Sequence, residues 1–177
     1  MKLNLGCGRH KMAGYVNVDH EPLESPDIVC DLTVGRWPFD DNSVDGALAS
    51  HILEHLPGEG FFHFMRELWR VSKPGAVTEI VLPHPSHDLF LNDPTHCRPI
   101  MPGTMIMFSR RWLAALEREG KLLTSFADRC GVDFDFGPTV SYVFDTAVDK
   151  DDPNLEHRMK HERNIICQWS SRLAAVK

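Results

Sequence analysis

The sequence predicts an α/β fold with a mostly parallel central sheet, flanking helices, a late antiparallel strand and a shortened first crossover. Three observations support this prediction. Four short apolar runs fill the first third of the 177-residue chain, a polar residue closes each run, and only about ten residues separate the first run from the second. Runs of this length, rich in Val, Ile and Leu, are typical of strands buried in a parallel sheet. Since ligands bind at the carboxyl edge of open α/β sheets, the closing polar residues indicate a candidate site.

The elements of the first half follow from hydrophobic periodicity. Strands are predicted at residues 2–5, 15–18, 27–30, 44–49 and 76–82. Phe61, Phe64 and Leu68 recur at helical spacing and predict an amphipathic helix before the fifth strand. Lys73-Pro74-Gly75 is expected to end this helix, because proline disfavours helical backbone at the residue before it.

The second half is predicted to open with an irregular stretch, residues 83–103, which is polar and rich in proline. Ser109 suits the N-cap of a helix that ends before Gly120. The next predicted elements are a helix at residues 121–130 and then a hairpin or two late strands at 132–136 and 139–144, around Gly137-Pro138. Another helix is predicted at 154–163 and a last strand at 165–176.

Charge, apolar runs and cysteine content each argue against particular classes of protein. Nineteen Lys and Arg against 25 Asp and Glu give a net charge of −6, which argues against a uniformly basic nucleic-acid binder. No run of about 18 apolar residues predicts a transmembrane helix, and the first residues lack the apolar core of a signal peptide. The five cysteines are odd in number and scattered, against a disulfide scaffold or a zinc ribbon. We therefore expect a cytoplasmic protein without a membrane partner.

The first motif is Gly6-Cys7-Gly8, directly after the first predicted strand. Two glycines allow the backbone to pass close to a ligand, because neither carries a Cβ and both tolerate positive φ. The dinucleotide fingerprint G-x-G-x-x-G would need glycine at position 11, where this chain has Lys11. A nicotinamide dehydrogenase is therefore disfavoured, and the motif by itself is equally compatible with a simple tight turn.

Carboxylates close the second and third strands. Asp19 is placed where a carboxylate can accept both hydroxyls of a ribose, and Asp31 could line an adenine site. A single aspartate at a strand end is more often a turn residue or a helix cap. Ligand-type residues at three successive strand ends favour a nucleoside site.

Six motifs stand in order along about the first 85 residues. They are Leu3-Asn4-Leu5-Gly6-Cys7-Gly8, Asn17-Val18-Asp19, Val29-Cys30-Asp31-Leu32, Trp37-Pro38-Phe39, Asp45 through Ser50-His51-Ile52-Leu53-Glu54-His55-Leu56, and Glu67-Leu68-Trp69-Arg70-Val71-Ser72-Lys73-Pro74-Gly75. This ordered set resembles the class I S-adenosylmethionine-dependent methyltransferases, and most closely their small type 11 group.

The resemblance implies a Rossmann-like fold, S-adenosylmethionine as cofactor and in-line transfer of its methyl group to an acceptor. One methyltransferase-like domain is expected over residues 1–177, with a cofactor-binding half at 1–85 and an acceptor-side half at 86–177. The cofactor-binding residues implied by the resemblance are Leu5, Gly6, Cys7, Gly8, Asp19, His20, Asp31, Leu32, Ser50 and His51.

The chain departs from the family pattern in two respects. The first crossover is about as short as a parallel strand pair allows, so the usual first helix is expected to be a turn or absent. The motif after strand four is not Asp/Asn-Pro-Pro-aromatic, and no Pro-Cys nucleophile motif is found. A nucleic-acid base is therefore disfavoured as acceptor, and a small molecule is expected.

Histidines concentrate in the middle of the chain: six of the ten lie between positions 51 and 96. Histidine takes up a proton near neutral pH more readily than other side chains. We predict catalytic roles for His51, His55 and His96. A loop around residues 93–99 is expected to fold over the site, and the substrate-binding residues are predicted to be His84, His87, Asp93, His96 and Arg98. The alternative is a surface loop stabilised by its own turn-forming residues.

Three other interpretations stay open. The chain could bind S-adenosylmethionine without transferring the methyl group, as a binding module or an inactive partner subunit. His51-Ile52-Leu53-Glu54-His55 also matches the H-x-x-E-H pattern of zinc hydrolases, although Pro57 leaves barely one helical turn as a platform. No metal is assigned, and structural metal binding by His84, His87 and His96 is a separate possibility. The acceptor and the oligomeric state are not predicted.

Overall fold

The computed structural model describes residues 1–137 and 139–177. Within these residues, eight strands form a single mixed sheet in the order β3-β2-β1-β4-β5-β8-β6, and β7 also pairs with β8. The strands are β1 (Lys2–Leu5), β2 (Val16–Asp19), β3 (Ile28–Val29), β4 (Val44–Ser50), β5 (Ser72–Pro83), β6 (Phe134–Phe136), β7 (Ser141–Phe144) and β8 (Ile166–Ala175). Strands β1 to β5 run parallel, and β8 is antiparallel to β5, β6 and β7. The predicted Rossmann-like fold with a late antiparallel strand is confirmed.

Six α-helices flank the sheet in the described part of the chain. They are α1 (Gly58–Val71), α2 (Asp88–Leu91), α3 (Pro102–Ile106), α4 (Arg110–Arg118), α5 (Phe126–Cys130) and α6 (Leu155–His161). Short 3-10 helices stand at Pro22–Glu24 and Leu53–His55. No helix among the described residues is both long and apolar enough to cross a membrane.

The shortened first crossover is confirmed, because turns rather than a helix connect β1 to β2. Two buried asparagines brace this connection. The Asn4 side-chain amide donates to Asn17 Oδ1 at 3.0 Å and to the carbonyl of His10 at 2.9 Å. The amide N–H of Met12 also donates to Asn17 Oδ1, at 2.8 Å. Side-chain amides thus replace the hydrogen bonds that a crossover helix would have supplied.

Helix α1 packs the face that its periodicity predicts, with Phe61, Phe64 and Leu68 almost fully buried. It ends at Val71, and the tripeptide predicted to stop it belongs instead to the start of β5. The β4–β5 register shifts between the pairs Val44–Ser72 and Gly46–Val77, so Pro74 lies in the irregular part of the ladder. A proline is tolerated there because no regular ladder bond needs its missing N–H.

Two other predictions are corrected by the structure. The irregular stretch at residues 83–103 contains α2 and the first residues of α3, because His87 caps α2 by accepting from the Leu89 N–H at 3.1 Å. The helix predicted at 121–130 is limited to Phe126–Cys130, with Ser125 as its N-cap and Gly131 as its left-handed C-cap. The side chains of His87 and Ser125, which cap these helices, thus determine where α2 and α5 begin.

The late strands do not pair with each other as a hairpin. Both β6 and β7 pair with β8, so the prediction of two late strands is the right alternative. Of the predicted Gly137-Pro138 turn, Pro138 lies outside the described residues.

An ion pair within helix α1 holds the loop between β3 and β4. Arg70 binds Glu67 through two contacts of 2.6 and 2.7 Å and donates to the carbonyls of Trp37 and Phe39. Glu67 Oε2 accepts from the Trp37 N–H at 2.7 Å. Burial tends to raise the pKa of Glu67, but its contacts with Arg70 and the Trp37 N–H lower it on balance. The pair therefore anchors the Trp37-Pro38-Phe39 segment against the core.

We predict that Arg70→Ala lowers the free energy of unfolding by about 2 kcal/mol, because it removes the positive charge that pairs with the mostly buried Glu67 carboxylate and the donor to two carbonyls. Urea denaturation followed by circular dichroism measures this change. Lys160→Ala, which removes an exposed ion pair with Glu156, is the control and should leave the unfolding midpoint unchanged. Equal stability of Arg70→Ala and the wild type would contradict the anchoring role.

Candidate active site

A cavity of about 380 Å³ opens at the carboxyl edge of the parallel strands. It is lined by Gly6, Asp19, His20, Cys30, Asp31, Leu32, Thr33, His51, Ile52, His55 and Leu56. Leu5 pairs with Val18 on one side and with Ala49 on the other. This register brings the residues that follow these strands to the same level, so the predicted strand-end residues meet around one space.

The turn after β1 forms the floor of the cavity. Gly6 has φ +68°, and the N–H groups of Gly6 and Cys7 both donate to the Val18 carbonyl at 2.8 and 3.1 Å. A Cβ on Gly6 would lie 2.4 Å from Cδ1 of Ile52, which is too close. Glycine is required here both by the left-handed backbone and by the approach of Ile52.

Asp19 is held rigidly at the end of β2. Its Oδ2 accepts from the Gly8 N–H at 2.8 Å and its Oδ1 accepts from the Glu21 N–H at 3.0 Å. The side chain is buried yet lines the cavity. A carboxylate has about four acceptor positions, so two remain for hydroxyl donors of a ligand. His20 flanks it, with Nδ1 at 3.3 Å from Oδ1.

Asp31 lies at the exposed rim of the cavity. Its Oδ1 accepts from both the N–H and the hydroxyl of Thr33, at 2.8 and 2.6 Å. These two hydrogen bonds lower the pKa of Asp31, which keeps the carboxylate charged. The other oxygen, Oδ2, has no hydrogen-bond donor among the described residues. It can therefore accept from an amino group.

His51 follows β4 in a left-handed conformation, with φ +52°. This conformation is uncommon for a residue other than glycine and is found at functional sites. His51 Nε2 lies 3.0 Å from Gln168 Oε1. Nδ1 lies 3.3 Å from Glu54 Oε1, close enough for an ion pair but without hydrogen-bond geometry. The Glu54 carboxylate raises the pKa of His51, and the contact with Gln168 adds to the rise against the effect of burial.

A second cavity, of about 260 Å³, adjoins the first. It is lined by His51, Glu54, His55, Pro83, Leu89, Asp93, His96, Cys167 and Gln168. His51 and His55 line both cavities, so the two spaces meet at these imidazoles.

The loop at residues 93–97 covers the segment that follows β4. The Cys97 N–H donates to the Glu54 carbonyl at 2.7 Å, and the His55 Nδ1 contacts Thr95 Oγ1 at 2.9 Å. Thr95 and Asp93 also form an internal turn, in which the Thr95 N–H and hydroxyl both donate to Asp93 Oδ1. The loop therefore combines both predicted alternatives: it is stabilised by its own turn, and it closes one side of the second cavity.

The structure brings most predicted site residues together, but not all of them. His84 lines a different cavity beside α6, where its Nδ1 contacts the Ser86 hydroxyl and burial lowers its pKa. Arg98 stacks over the Phe61 ring, with its guanidinium carbon 4.8 Å from the ring centroid. His87 contacts Asp145 and Cys167 behind the second cavity rather than lining it. Of the five predicted substrate-binding residues, Asp93 and His96 line the second cavity.

Some of the predicted cofactor-binding residues do not line the first cavity. Leu5 and Cys7 are buried, Ser50 ends β4, and none of the three lines the first cavity. Burial raises the pKa of the Cys7 thiol. These residues lie at the ends of β1 and β4, next to Gly6 and His51, which do line the cavity.

Sequence reasoning missed several lining residues. Three of these residues directly follow a predicted site residue in the sequence, and this position could have identified them: Thr33, Ile52 and Leu56. Gln168 and Cys167 come from β8, more than 100 residues after β4, and reach the site only because β8 pairs with β5. Nothing local in the sequence identifies them.

Comparison with known proteins finds a match to one family model over part of the chain. Residues 10–80 match the family model Methyltransf_11, described as a methyltransferase domain. All residues that line the first cavity, except Gly6, lie in this segment. Among curated proteins, none matches the sequence.

Solved methyltransferase structures share the fold over nearly the whole chain. An S-adenosylmethionine-dependent methyltransferase from Archaeoglobus fulgidus is 18% identical with a TM-score of 0.59, over 98% of this chain and 85% of that one. One from Methanosarcina mazei is 15% identical with a TM-score of 0.57, over 99% and 92%. The 1,6-didemethyltoxoflavin-N1-methyltransferase of Burkholderia thailandensis, solved with that compound and S-adenosylhomocysteine, is 11% identical with a TM-score of 0.54, over 99% and 71%.

The sequence match and the fold both point to methyltransferases. The matched segment contains β2, β3 and β4, whose carboxyl ends contribute to the first cavity, and the structural likeness covers nearly the whole chain, including the antiparallel β8. Residues 10–80 thus match a methyltransferase domain, and the chain has the fold of S-adenosylmethionine-dependent methyltransferases.

Proposed function

We propose that the protein transfers a methyl group by in-line displacement from S-adenosylmethionine in the first cavity to a small-molecule acceptor in the second. The observation that carries this proposal is the junction of the two cavities at His51 and His55. Methyl transfer requires the donor and the acceptor to be aligned across a short gap, and two adjoining spaces with a common wall provide that alignment.

The residues of the first cavity suit an adenosyl cofactor. A glycine turn lets the backbone approach a ligand, and Asp19 retains acceptor positions for two ribose hydroxyls. Asp31 and Leu32 offer an acceptor and an apolar surface to the adenine ring. The volume of about 380 Å³ falls in the range of ligand pockets.

Bound S-adenosylmethionine supplies a methyl group already activated by a positively charged sulfur. The chain itself has to bind the adenosyl part, orient the acceptor and exclude water. We assign the first task to Asp19, His20 and Asp31, with the Gly6–Gly8 turn beneath the methionine part. We assign the second to His51, which would hold the reacting atom of the acceptor and accept its proton where it has one.

Three observations support a small acceptor. The second cavity measures about 260 Å³, the chain carries a net charge of −6, and motifs for nucleic-acid bases are not found in the sequence. The structurally similar protein from Burkholderia thailandensis acts on 1,6-didemethyltoxoflavin, which is a small molecule. Both halves of the chain contribute to this cavity, so acceptor recognition is not confined to residues 86–177.

The proposal is tested with labelled S-adenosylmethionine and a panel of small acceptors that carry hydroxyl, carboxyl or amino groups, followed by mass spectrometry. We expect one acceptor class to gain a methyl group while S-adenosylhomocysteine is released. Calorimetric binding of S-adenosylhomocysteine without any methylated product would instead favour the binding-module alternative.

We predict that Asp19→Asn weakens binding of S-adenosylhomocysteine at least about tenfold, because each hydrogen bond to a charged group contributes about 1.5–3 kcal/mol. Isothermal titration calorimetry measures the affinity, and circular dichroism checks that the variant is folded. Asp40→Asn, which changes an exposed carboxylate outside the cavity, should bind like the wild type. Unchanged affinity of Asp19→Asn would remove Asp19 from the cofactor site.

We predict that His51→Asn lowers the turnover number about 100-fold and changes the affinity for S-adenosylhomocysteine by no more than a few fold. Asparagine tolerates the left-handed backbone at this position, so the substitution removes the imidazole without adding backbone strain. Turnover is followed with the acceptor found in the panel. His10→Asn, at an exposed position outside both cavities, is the matched control. Full activity of His51→Asn would rule out a direct role for His51.

A further inference from the structure

Three side chains of the types that bind metal ions lie close together on the wall of the second cavity. One ligand atom each from Glu54, His55 and His96 lie within 4.8 Å of one another. All three residues line the cavity. Glu54 and His55 belong to the 3-10 helix after β4, whereas His96 comes from the loop that covers it. Two imidazoles and one carboxylate are a donor set that divalent zinc and iron prefer in proteins.

The hydrogen bonds of the two histidines define which nitrogen is free. His96 Nδ1 lies 2.7 Å from the Phe90 carbonyl, which only accepts, so Nδ1 carries the proton. The Thr95 hydroxyl donates to Asp93 Oδ1 at 2.6 Å, so its oxygen must accept from His55 Nδ1 at 2.9 Å. With Nδ1 as the donor, a neutral ring keeps its lone pair on Nε2, which in His96 lies 3.8 Å from Asp93 Oδ2. Metal-binding histidines in proteins donate the other ring N–H to an acceptor in this way.

The buried Glu54 carboxylate is a second, independent observation that points to a cation at this place. Its side chain is 1% exposed, and neither carboxylate oxygen accepts a hydrogen bond from any described residue. A buried carboxylate without donors is costly unless a positive charge offsets it. His51 approaches only one of the two oxygens, at 3.3 Å.

We propose that Glu54, His55 and His96 bind a divalent transition-metal ion at the wall of the second cavity, and that an oxygen atom of the acceptor completes its coordination. The second part rests on the proposed function, while the metal site stands without it. Ligands at about 2.1 Å from an ion are separated by about 3.0–3.4 Å, so small side-chain movements bring these atoms into range. Metal coordination lowers the pKa of a bound hydroxyl, which favours an acceptor with a hydroxyl or carboxyl group.

This site differs from the zinc-hydrolase interpretation of the sequence, in which two histidines four residues apart bind the ion. Here His51 is not a ligand, and the second imidazole comes from His96, more than 40 residues away from Glu54. The short 3-10 helix cannot display both histidines of H-x-x-E-H on one helical face, because a platform of about one and a half turns is needed.

A second cluster, formed by His87, Asp145 and Cys167, is a poorer candidate. The three ligand atoms are 3.1 to 3.9 Å apart. However, His87 Nδ1 accepts from the Leu89 N–H, so the ring proton sits on Nε2 and points to Asp145. A metal ion at Nε2 would have to displace that proton and break the cap of helix α2.

Metal content of the untagged full-length chain tests the proposal. The protein is stripped with a chelator, titrated with Co²⁺ under visible absorption spectroscopy, and analysed for zinc after reconstitution. We expect one ion per chain, and Glu54→Gln and His96→Ala should each weaken Co²⁺ binding about 100-fold or more. Thr95→Val removes the hydroxyl that accepts from His55 and donates to Asp93, keeps all three proposed ligands, and should weaken binding about 10-fold. Circular dichroism confirms that each variant is folded.

Two control variants locate the ion. Cys167→Ala and the double variant His157→Ala/His161→Ala should bind Co²⁺ like the wild type, since they alter the second cluster and an exposed histidine pair on α6. Absence of stoichiometric binding, unchanged binding in both Glu54→Gln and His96→Ala, or loss of binding in Cys167→Ala would overturn the metal site.

Acetohydroxamate, a bidentate oxygen ligand, probes the acceptor part of the proposal. It should shift the visible bands of the Co²⁺-loaded protein, and no shift at saturating concentration would contradict an oxygen ligand from the acceptor. Calorimetry with S-adenosylhomocysteine on the same metal-free protein separates the two hypotheses. Metal binding without nucleoside binding leaves the metal site intact and overturns the proposed function, and the reverse result overturns only the metal site.

Discussion

The pairing of β1 between β2 and β4 is the constraint on which the site depends. Leu5 faces Val18 and Ala49 across the two ladders, so the chain leaves all three strands at the same level. A shift of one residue in either ladder would turn the buried side chains of the strand toward the opposite face. Because the core side chains prevent that shift, the glycine turn, Asp19 and His51 are brought to one edge of the sheet. The Gly8 N–H then fixes the Asp19 carboxylate beside the turn. The sheet thus organises the first cavity.

The second cavity depends on a different kind of interaction. Its walls come from the segment after β4, the loop at residues 93–97 and the antiparallel β8. Single hydrogen bonds, from the Cys97 N–H to Glu54 and from His55 to Thr95, hold the loop against the segment. This side of the cavity is therefore held by individual long-range hydrogen bonds, whereas a continuous strand ladder holds the edge of the parallel sheet. Substitutions in this loop can therefore change the shape of the second cavity while the edge of the parallel sheet is retained.

Most of the fold could be predicted from the sequence, because strands β1 to β5 are short apolar runs with local signals at their ends. The unpredicted features have physical reasons. Helix α2 depends on the side chain of His87 as its cap, and the start of β5 includes Pro74 because the neighbouring ladder is irregular there. Neither effect is visible in hydrophobic periodicity, which reports burial and not hydrogen-bond partners.

The sequence by itself predicted the methyltransferase-like fold and the cavity edge at which Gly6, Asp19, Asp31 and His51 lie, since each of these residues stands at or just after the end of a strand that is predictable from nearby residues. Only the tertiary structure decided the composition of the second cavity. It moved His84 and Arg98 away from the site, brought Gln168 next to His51, and left the carboxylate of Glu54 buried beside two imidazoles. The physical reason is distance along the chain: parallel strands bring their own ends together, but residues from the covering loop and β8 meet the site only through long-range packing.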